Sequence, residues 1–366
     1  MSVQTVDRLA ALRNLMRETA IDLVALAPGA HMDWLLGFHP HPDERPCLLL
    51  IAPEKEAFLM PALNAEGTRE FTDIEFFEWA DDQGPVDALN EALLSIGVDR
   101  ARSVSLDETM RADFALLLLD NLPNSKRQFT QDTVGALRMR KDDVEYQLLK
   151  KNALINDRAM QAGFAALKPG MTELEVAAII SQHHQVEGAK TEFSIVGSGS
   201  NGAFPHHATS DRKLQKGDAI VIDVGARFEG FPSDMTRMAV LGQEPAGYGE
   251  IHDIVNQAVE AALAAARPGV MAKEVDAAAR NVITNAGYGD YFVHRTGHGL
   301  GIEVHEPPYI TATSETVLDE GMVFSIEPGI YLPGRFGIRL EEIVILRVDG
   351  PEILSGLSRD VFVAKC

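Results

Sequence analysis

Apolar residues recur at helical spacing through residues 6–17 of the opening segment MSVQTVDRLAALRNLMRE, which predicts an amphipathic first helix. Beyond it the pattern shortens. IDLVALAP, CLLLIAP and AFLMP are compact apolar runs bounded by turn residues, and each predicts a strand, the last two joined by the turn PEKE. A helical pattern returns at about 86–97, followed by a strand at RSVSLD and a further apolar run at FALLLL. This alternation predicts a compact α/β domain over residues 1–125. The polar, proline-containing stretch LPNSKRQFTQD makes 126–136 the expected linker.

Residues 137–366 read as α+β. A long helix over 142–167 closes at Pro169-Gly170, and a second runs from about 172 to 184. Strands are expected near 219–225 and 235–241, helices over 249–266 and 272–286, and strands again near 322–327 and 342–347. The strand-to-strand stretches are too short for helical crossovers, so pairing should be mainly antiparallel. The pattern also repeats. LKPGMTELEVAA from 167 matches ARPGVMAKEVDAA from 266, and LQKGDAIVIDVG from 214 matches LDEGMVFSIEPG from 318. The match sets Asp223 on Glu327, and His206 and His305 lie 99 residues apart, the offset of the first pair of segments. Two similar halves predict a domain with a pseudo-two-fold axis and a site near that axis.

Composition narrows the function. An apolar content of 46% in 366 residues is enough for two cores. A net charge of −21, with no finger, recognition-helix or RNP pattern, argues against a nucleic-acid partner. No run approaches the ~20 apolar residues of a membrane span, and the charged N-terminal helix is unlike a signal segment. Two cysteines, Cys47 and Cys366, make no disulfide framework. A cytoplasmic protein is the expectation.

Four acidic residues interrupt strands that otherwise read as core: Asp223 in AIVIDVG, Asp234 in FPSDMTR, Glu327 in MVFSIEPG and Glu341 in IRLEEIV. A carboxylate buried without a partner costs several kcal/mol, so the four point to bound cations. A turn through FEGF, eased by Gly225 and Gly230, would bring Asp234 beside Asp223, and Glu327 and Glu341 repeat the arrangement across YLPGRFG. Glu342 follows Glu341 and would face the other way on a strand, so spacing leaves the choice between them open. His298, in GHG, adds an imidazole. Oxygen-rich sets of this kind suit two divalent ions, Mn²⁺ first, with Co²⁺ and Zn²⁺ as alternatives. Gly297, Gly299 and Gly301 predict a loop carrying His294, His298 and His305, while His206 and His207 lie in FPHHATSD. His31, His39, His41, His252 and the His183-His184 pair read as surface residues.

The motifs PHHATSD, VIDVGARFEGFPSDMTR, HRTGHGLGIEVHE, FSIEPGIY and IRLEEIV together resemble those of the methionine aminopeptidase, prolidase and aminopeptidase P group of metallopeptidases. The resemblance implies a pita-bread catalytic domain preceded by a smaller creatinase-N-like α/β domain that restricts substrate length and makes dimer contacts. Carried over by motif, Asp223, Asp234, His298, Glu327 and Glu341 are the metal ligands, which selects Glu341 over Glu342. His206 and His305 match histidines that contact the substrate and the tetrahedral intermediate. His294 and Arg339 match positions typical of proline-specific members, Arg339 as a support for Glu341. The implied reaction is hydrolysis of an Xaa-Pro bond in a dipeptide or short peptide through a metal-bridging hydroxide, with Glu327 as proton shuttle, in a homodimer. Two rivals stand beside it: a metal-dependent amidohydrolase or other non-peptidase of the same fold, and a non-catalytic peptide-binding protein. A substrate panel separates the first, and retention of metal without turnover the second.

Overall fold

A computed structural model describes residues 3–365, and the chain divides into two units after Arg138. Cys366 lies outside the described residues.

The first unit is a six-stranded sheet with helices. Its strands are β1 (Leu23–Leu26), β2 (Leu48–Ile51), β3 (Glu56–Pro61), β4 (Glu75–Trp79), β5 (Ser103–Leu106) and β6 (Lys126–Phe129), in the spatial order β4-β3-β2-β1-β5-β6. The helices are α1 (Val3–Thr19), α2 (Ala30–Leu36), α3 (Ala62–Arg69), α4 (Val86–Ser95), α5 (Ala112–Asn121) and α6 (Val134–Arg138). The apolar run FALLLL is part of α5, which buries Phe114, Leu118 and Leu119. The expected linker is corrected. Residues 126–129 are the edge strand of this sheet, paired in parallel with β5, and α6 follows them. The segment is polar because an edge strand has one side in water, not because it is a tether.

The second unit opens with α7 (Asp143–Ala166) and α8 (Glu173–Val186). Each starts at a capping box, Asp142 with Glu145 and Thr172 with Glu175, which satisfies backbone donors that the first turn leaves free. Strands β7 (Lys190–Ser198), β8 (Ala219–Phe228), β9 (Phe231–Pro232) and β10 (Met235–Leu241) follow, then α9 (Tyr248–Ala265) and α10 (Ala272–Asn285). The chain ends with β11 (Gly297–Gly299), β12 (Glu306–Ile310), β13 (Val323–Ile326), β14 (Gly329–Leu332), β15 (Phe336–Arg339), β16 (Glu342–Arg347), β17 (Gly350–Ile353) and β18 (Phe362–Ala364). One sheet runs β18-β10-β8-β7 and another β12-β11-β13-β16-β17. Among the described residues, all pairings in this unit are antiparallel except that of β10 with β18.

The repeat seen in the sequence reappears as matched backbone bonds. Gly170 N–H donates to Leu214 O at 2.9 Å, and Gly269 N–H donates to Leu318 O at 2.8 Å. Leu214 N–H donates to Met171 O and Leu318 N–H to Val270 O. In both halves a helix, a Pro-Gly turn and a second helix are therefore pinned to the segment that leads into a carboxylate-bearing strand or strand end. Strand alternation then sets which way that carboxylate points. Ile220, Ile222 and Val224 of β8 pack with Met160, Phe164, Val176 and Ile180 of α7 and α8, so Asp223 shares the opposite face with Ala219 and Val221.

Two histidines expected at the surface are buried, His31 and His184. His184 Nε2 lies 2.9 Å from Asn156 Oδ1, and Asn156 Nδ2 donates to Val224 O, next to Asp223. Burial, then the neighbouring His183, lowers the His184 pKa from 6.5 to about 4. The folded protein therefore holds His184 neutral, while the unfolded chain takes up a proton below pH 6.5. Stability should fall as pH drops from about 6.5 to about 4, by up to about 3 kcal/mol from this group. Urea midpoints at pH 7 and pH 4.5 would check it: His184→Gln should show a smaller loss than the parent chain. Equal losses would remove His184 from the account.

Candidate metal centre

The five predicted ligands meet in one cavity of about 630 Å³, lined also by Phe193, Ile195, Pro205, His206, His294, Arg295, Val304, His305 and Arg339. Asp223, Asp234 and Glu341 offer oxygens within 4.8 Å of one another, and so do His298, Glu327 and Glu341 with their nitrogen and oxygens. Asp234, His298 and His305 form a third such group.

Asp223 and Asp234 come together through the β8–β10 pairing, in which Asp223 lies opposite Thr236. The chain reverses at Glu229 and Gly230, both with positive φ (48° and 87°). Gly225 does not ease this turn, contrary to expectation. It sits inside β8, where a Cβ would meet Phe193 Cε1 at 2.2 Å and Ser233 O at 2.4 Å. Glu327 and Glu341 flank the β14–β15 hairpin, whose base pairs Gly329 with Arg339. Glu342 faces away and is held by Arg237 and Arg359, so it is part of the framework. Glu341 turns into the cavity and accepts a 2.9 Å hydrogen bond from Thr236 Oγ1.

The glycine-rich segment is also corrected. Gly297–Gly299 is not a loop but β11, an interior strand between β12 and β13. Its glycines are needed for closeness: a Cβ at 297 would lie 1.8 Å from Ser325 O, and one at 299 would lie 2.3 Å from Pro307 O. This packing sets His298 on a rigid strand. His298 Nδ1 donates to Gly299 O (3.1 Å), which leaves Nε2 to face the acids. That nitrogen faces Glu327 Oε1 at 3.2 Å and Asp234 Oδ2 at 3.6 Å. A ring nitrogen this close to two carboxylates needs a proton or a cation between them.

Other observations favour a cation. Asp223 Oδ1 and Glu341 Oε1 are buried without a hydrogen-bond partner. Burial, and then the charges of the neighbouring carboxylates, push Asp234 and Glu341 well above the usual carboxyl range. Burial acts in the same direction on Glu327, but the hydrogen bond with His298 and the charge of Arg339 outweigh it and hold the group low. Four acids and one imidazole with spare lone pairs fit hard or borderline divalent ions.

Arg339 is buried, and its direct carboxylate partner is Asp223. Nη2 donates to Asp223 Oδ2 at 2.6 Å, Nη1 to Tyr331 Oη at 2.8 Å, and Nε to Thr236 Oγ1 at 2.9 Å. It reaches Glu341 only through Thr236. Tyr331, absent from the sequence reading, lies 2.8 Å from His294 Nε2. His294 Nδ1 donates to Arg295 O, so Nε2 accepts from the Tyr331 hydroxyl and the ring is neutral, in keeping with burial lowering its pKa. The strand period could have shown Thr236, two residues from Asp234, but nothing in the local sequence marks Tyr331.

A second group, His31 with Asp107 and Glu108 in the first unit, has similar spacing. There Arg138 lies against His31 Nδ1, and Asp107 accepts from Ala27 N, Thr109 N and Thr109 Oγ1. Its polar atoms already have partners.

Residues 147–347 match the model of metallopeptidase family M24, and residues 8–140 match that of the creatinase/prolidase N-terminal domain. The chain is 37% identical to the probable dipeptidase PepE of Mycobacterium tuberculosis over 97% of its own length and 96% of that protein. It is 33% identical to the Xaa-Pro dipeptidase of Pyrococcus furiosus, covering 97% and 99%. Among solved structures, dipeptidase PepE from Mycobacterium ulcerans superposes with a TM-score of 0.94 at 36% identity, covering 99% of this chain and 98% of that one. Prolidase from Thermococcus sibiricus superposes at 0.89 and 34%, covering all of both chains.

Proposed function

The chain belongs to metallopeptidase family M24, and from that premise we propose that it is a dinuclear Xaa-Pro dipeptidase. The observation that carries the reading is the convergence of Asp223, Asp234, His298, Glu327 and Glu341 on one cavity, two of their oxygens lacking any other partner. These five would hold two divalent ions, with Mn²⁺ favoured by the oxygen-rich set and Co²⁺ or Zn²⁺ as alternatives. When bound, the ions would lower the pKa of water and polarise the scissile carbonyl.

The chain's own residues supply the remaining roles. Glu327 accepts the proton of the attacking water and returns it to the prolyl nitrogen, which leaves poorly unless protonated. His305, its ring edge-on to His298 with centroids 4.2 Å apart, donates to the carbonyl oxygen as charge develops there. Desolvation, with the charges of His298 and Arg295, lowers its pKa, so the neutral ring is the donor near pH 7. His206 orients the substrate. Both nitrogens of His294 are already engaged, so its ring body is what packs against the proline side. Arg339 holds Asp223 in place.

Arg295 favours a dipeptide over a longer peptide. It lines the cavity with its guanidinium over the Tyr309 ring, 4.7 Å from the centroid, and forms no ion pair among the described residues. A cation placed there can receive the free C-terminal carboxylate that a dipeptide brings next to its scissile bond. Arg295→Gln should raise KM for Ala-Pro by about 10- to 100-fold, the loss of a charge-assisted contact, and change KM for Ala-Pro-amide much less. Equal effects on acid and amide would remove this role.

The reading as a whole is tested with metal-reconstituted protein on Ala-Pro, Ala-Pro-Ala and Ala-Ala. Cleavage of Ala-Pro alone is expected. Cleavage of Ala-Pro-Ala at equal rate would make it an aminopeptidase, and inertness toward all three would reject a peptidase. The proposal includes a homodimer, checked by light scattering, a first unit that restricts substrate length, and a cytoplasmic location, with which the free, buried Cys47 agrees.

A further inference from the structure

Two cavity histidines, His206 and His305, stand outside regular elements, yet their chemistry needs placement to a fraction of an ångström. What holds the first of them is a buried acid that the reaction does not use. Glu173 opens α8, and its side chain is wholly buried. One of its oxygens accepts from Ser198 N (2.8 Å), Ser198 Oγ (2.6 Å) and Asn201 Nδ2 (3.1 Å). The other accepts from His207 Nε2 (2.8 Å), Ser210 N (3.1 Å) and Ser210 Oγ (2.6 Å).

The six donors bracket His206 on both sides in the chain. The adjoining turn is closed by His207 N–H to Phe204 O, and Arg339 Nη1 donates to Pro205 O. His207 is thus drawn inward to Glu173, while its neighbour His206 lines the cavity. Burial pushes the Glu173 carboxyl up, but the hydrogen bonds from Ser198, Ser210 and His207 outweigh it and bring it down to about 2. The anchor is therefore charged at any working pH. The second half uses a comparable device. Glu306 is buried, takes Lys141 Nζ on one oxygen at 2.6 Å, and takes Ile302 N and Glu303 N on the other, just before it presents His305.

We propose that Glu173 is a positioning residue for the reaction, fixing the 198–210 loop so that His206 meets the substrate. This rests on the peptidase reading above. The test is a double-mutant cycle on metal-loaded protein with Ala-Pro, using Glu173→Gln, His206→Ala and the pair, with His305→Ala as a second background. Glu173→Gln should lower kcat by about 10²-fold where His206 is present, the cost of an ångström-scale misplacement. It should cost less than about 3-fold where His206 is absent, and keep its full effect in the His305→Ala background.

In metal-free protein, the imidazole NMR signals of His206 should move in Glu173→Gln while those of His305 stay. That arm stands even if the chain cleaves no peptide, so failure of the functional reading and failure of this one are separable. Should Glu173→Gln not fold, Ser210→Ala removes a single donor and should give the same pattern at smaller size. Equal losses in the presence and absence of His206, or an unmoved His206 signal, would overturn the proposal.

Discussion

Glu327→Gln is expected to lower kcat on Ala-Pro by about 10³-fold or more while the protein stays folded. The substitution keeps the shape of the side chain. It also leaves the main-chain anchor untouched, since Glu327 N–H donates to Thr296 O at 2.8 Å. What it removes is the charge that His298 and Arg339 hold in place, and with it both a ligand oxygen and the proton acceptor. It also places an amide beside Ser325 Oγ and His298 Nε2, which now face a carboxylate oxygen at 3.0 and 3.2 Å. Asp223→Ala would be a less clean test. It should also stop turnover, but it strands the buried guanidinium of Arg339, a defect that costs about 3–5 kcal/mol. Steady-state kinetics, metal content and a melting curve on Glu327→Gln together separate chemistry from folding. A kcat within about 10-fold of the parent, at full metal content, would remove Glu327 from the proton path.

Gly297→Ala is expected to be the most damaging small substitution in the second unit. A single methyl would be placed 1.8 Å from the carbonyl oxygen of Ser325 on the adjoining strand. Backbone in the middle of a sheet cannot move aside as a side-chain tip can, so β11 and β13 would have to part. The expected loss is about 4 kcal/mol or more, roughly 10 °C in Tm. His298 would move with β11, so metal affinity should fall as well. Gly230→Ala is the control. It sits in open space at φ 87°, and only the cost of a left-handed backbone, about 1 kcal/mol, is expected there. Melting curves with matched metal content would decide. A Tm for Gly297→Ala within a few degrees of the parent would mean that the sheet is far more compliant than its spacing implies.

Much of the fold was readable because it is written in short-range periodicity. Helical spacing marked α7, α8, α9 and α10 to within a few residues, and acids set into apolar runs marked β8, β13 and β16 as the strands that matter. Two of the readings that failed share one cause. Lys126–Phe129 and Gly297–Gly299 contain few apolar residues, and each becomes a strand only because a neighbour supplies its backbone partners. Local pattern cannot show a partner that lies far away in the chain. The same holds for Tyr331 and Glu173, whose roles follow from contacts with Arg339 and with His207 and the loop around it.

By itself, the sequence established that acids are set into apolar runs, that two halves repeat, and that no disulfide framework is available. Such features depend on residue type and spacing, which folding does not alter. Of the four acids only Asp223 proved to lie within a strand, the others at strand ends. Tertiary structure decided which of two adjacent glutamates enters the cavity, because Arg237 and Arg359 claim Glu342 and Thr236 claims Glu341. It decided that Arg339 serves Asp223, and that glycines at 297 and 299 make closeness rather than looseness. These turn on contacts between residues from 8 to 116 positions apart, set only when the strands pack together.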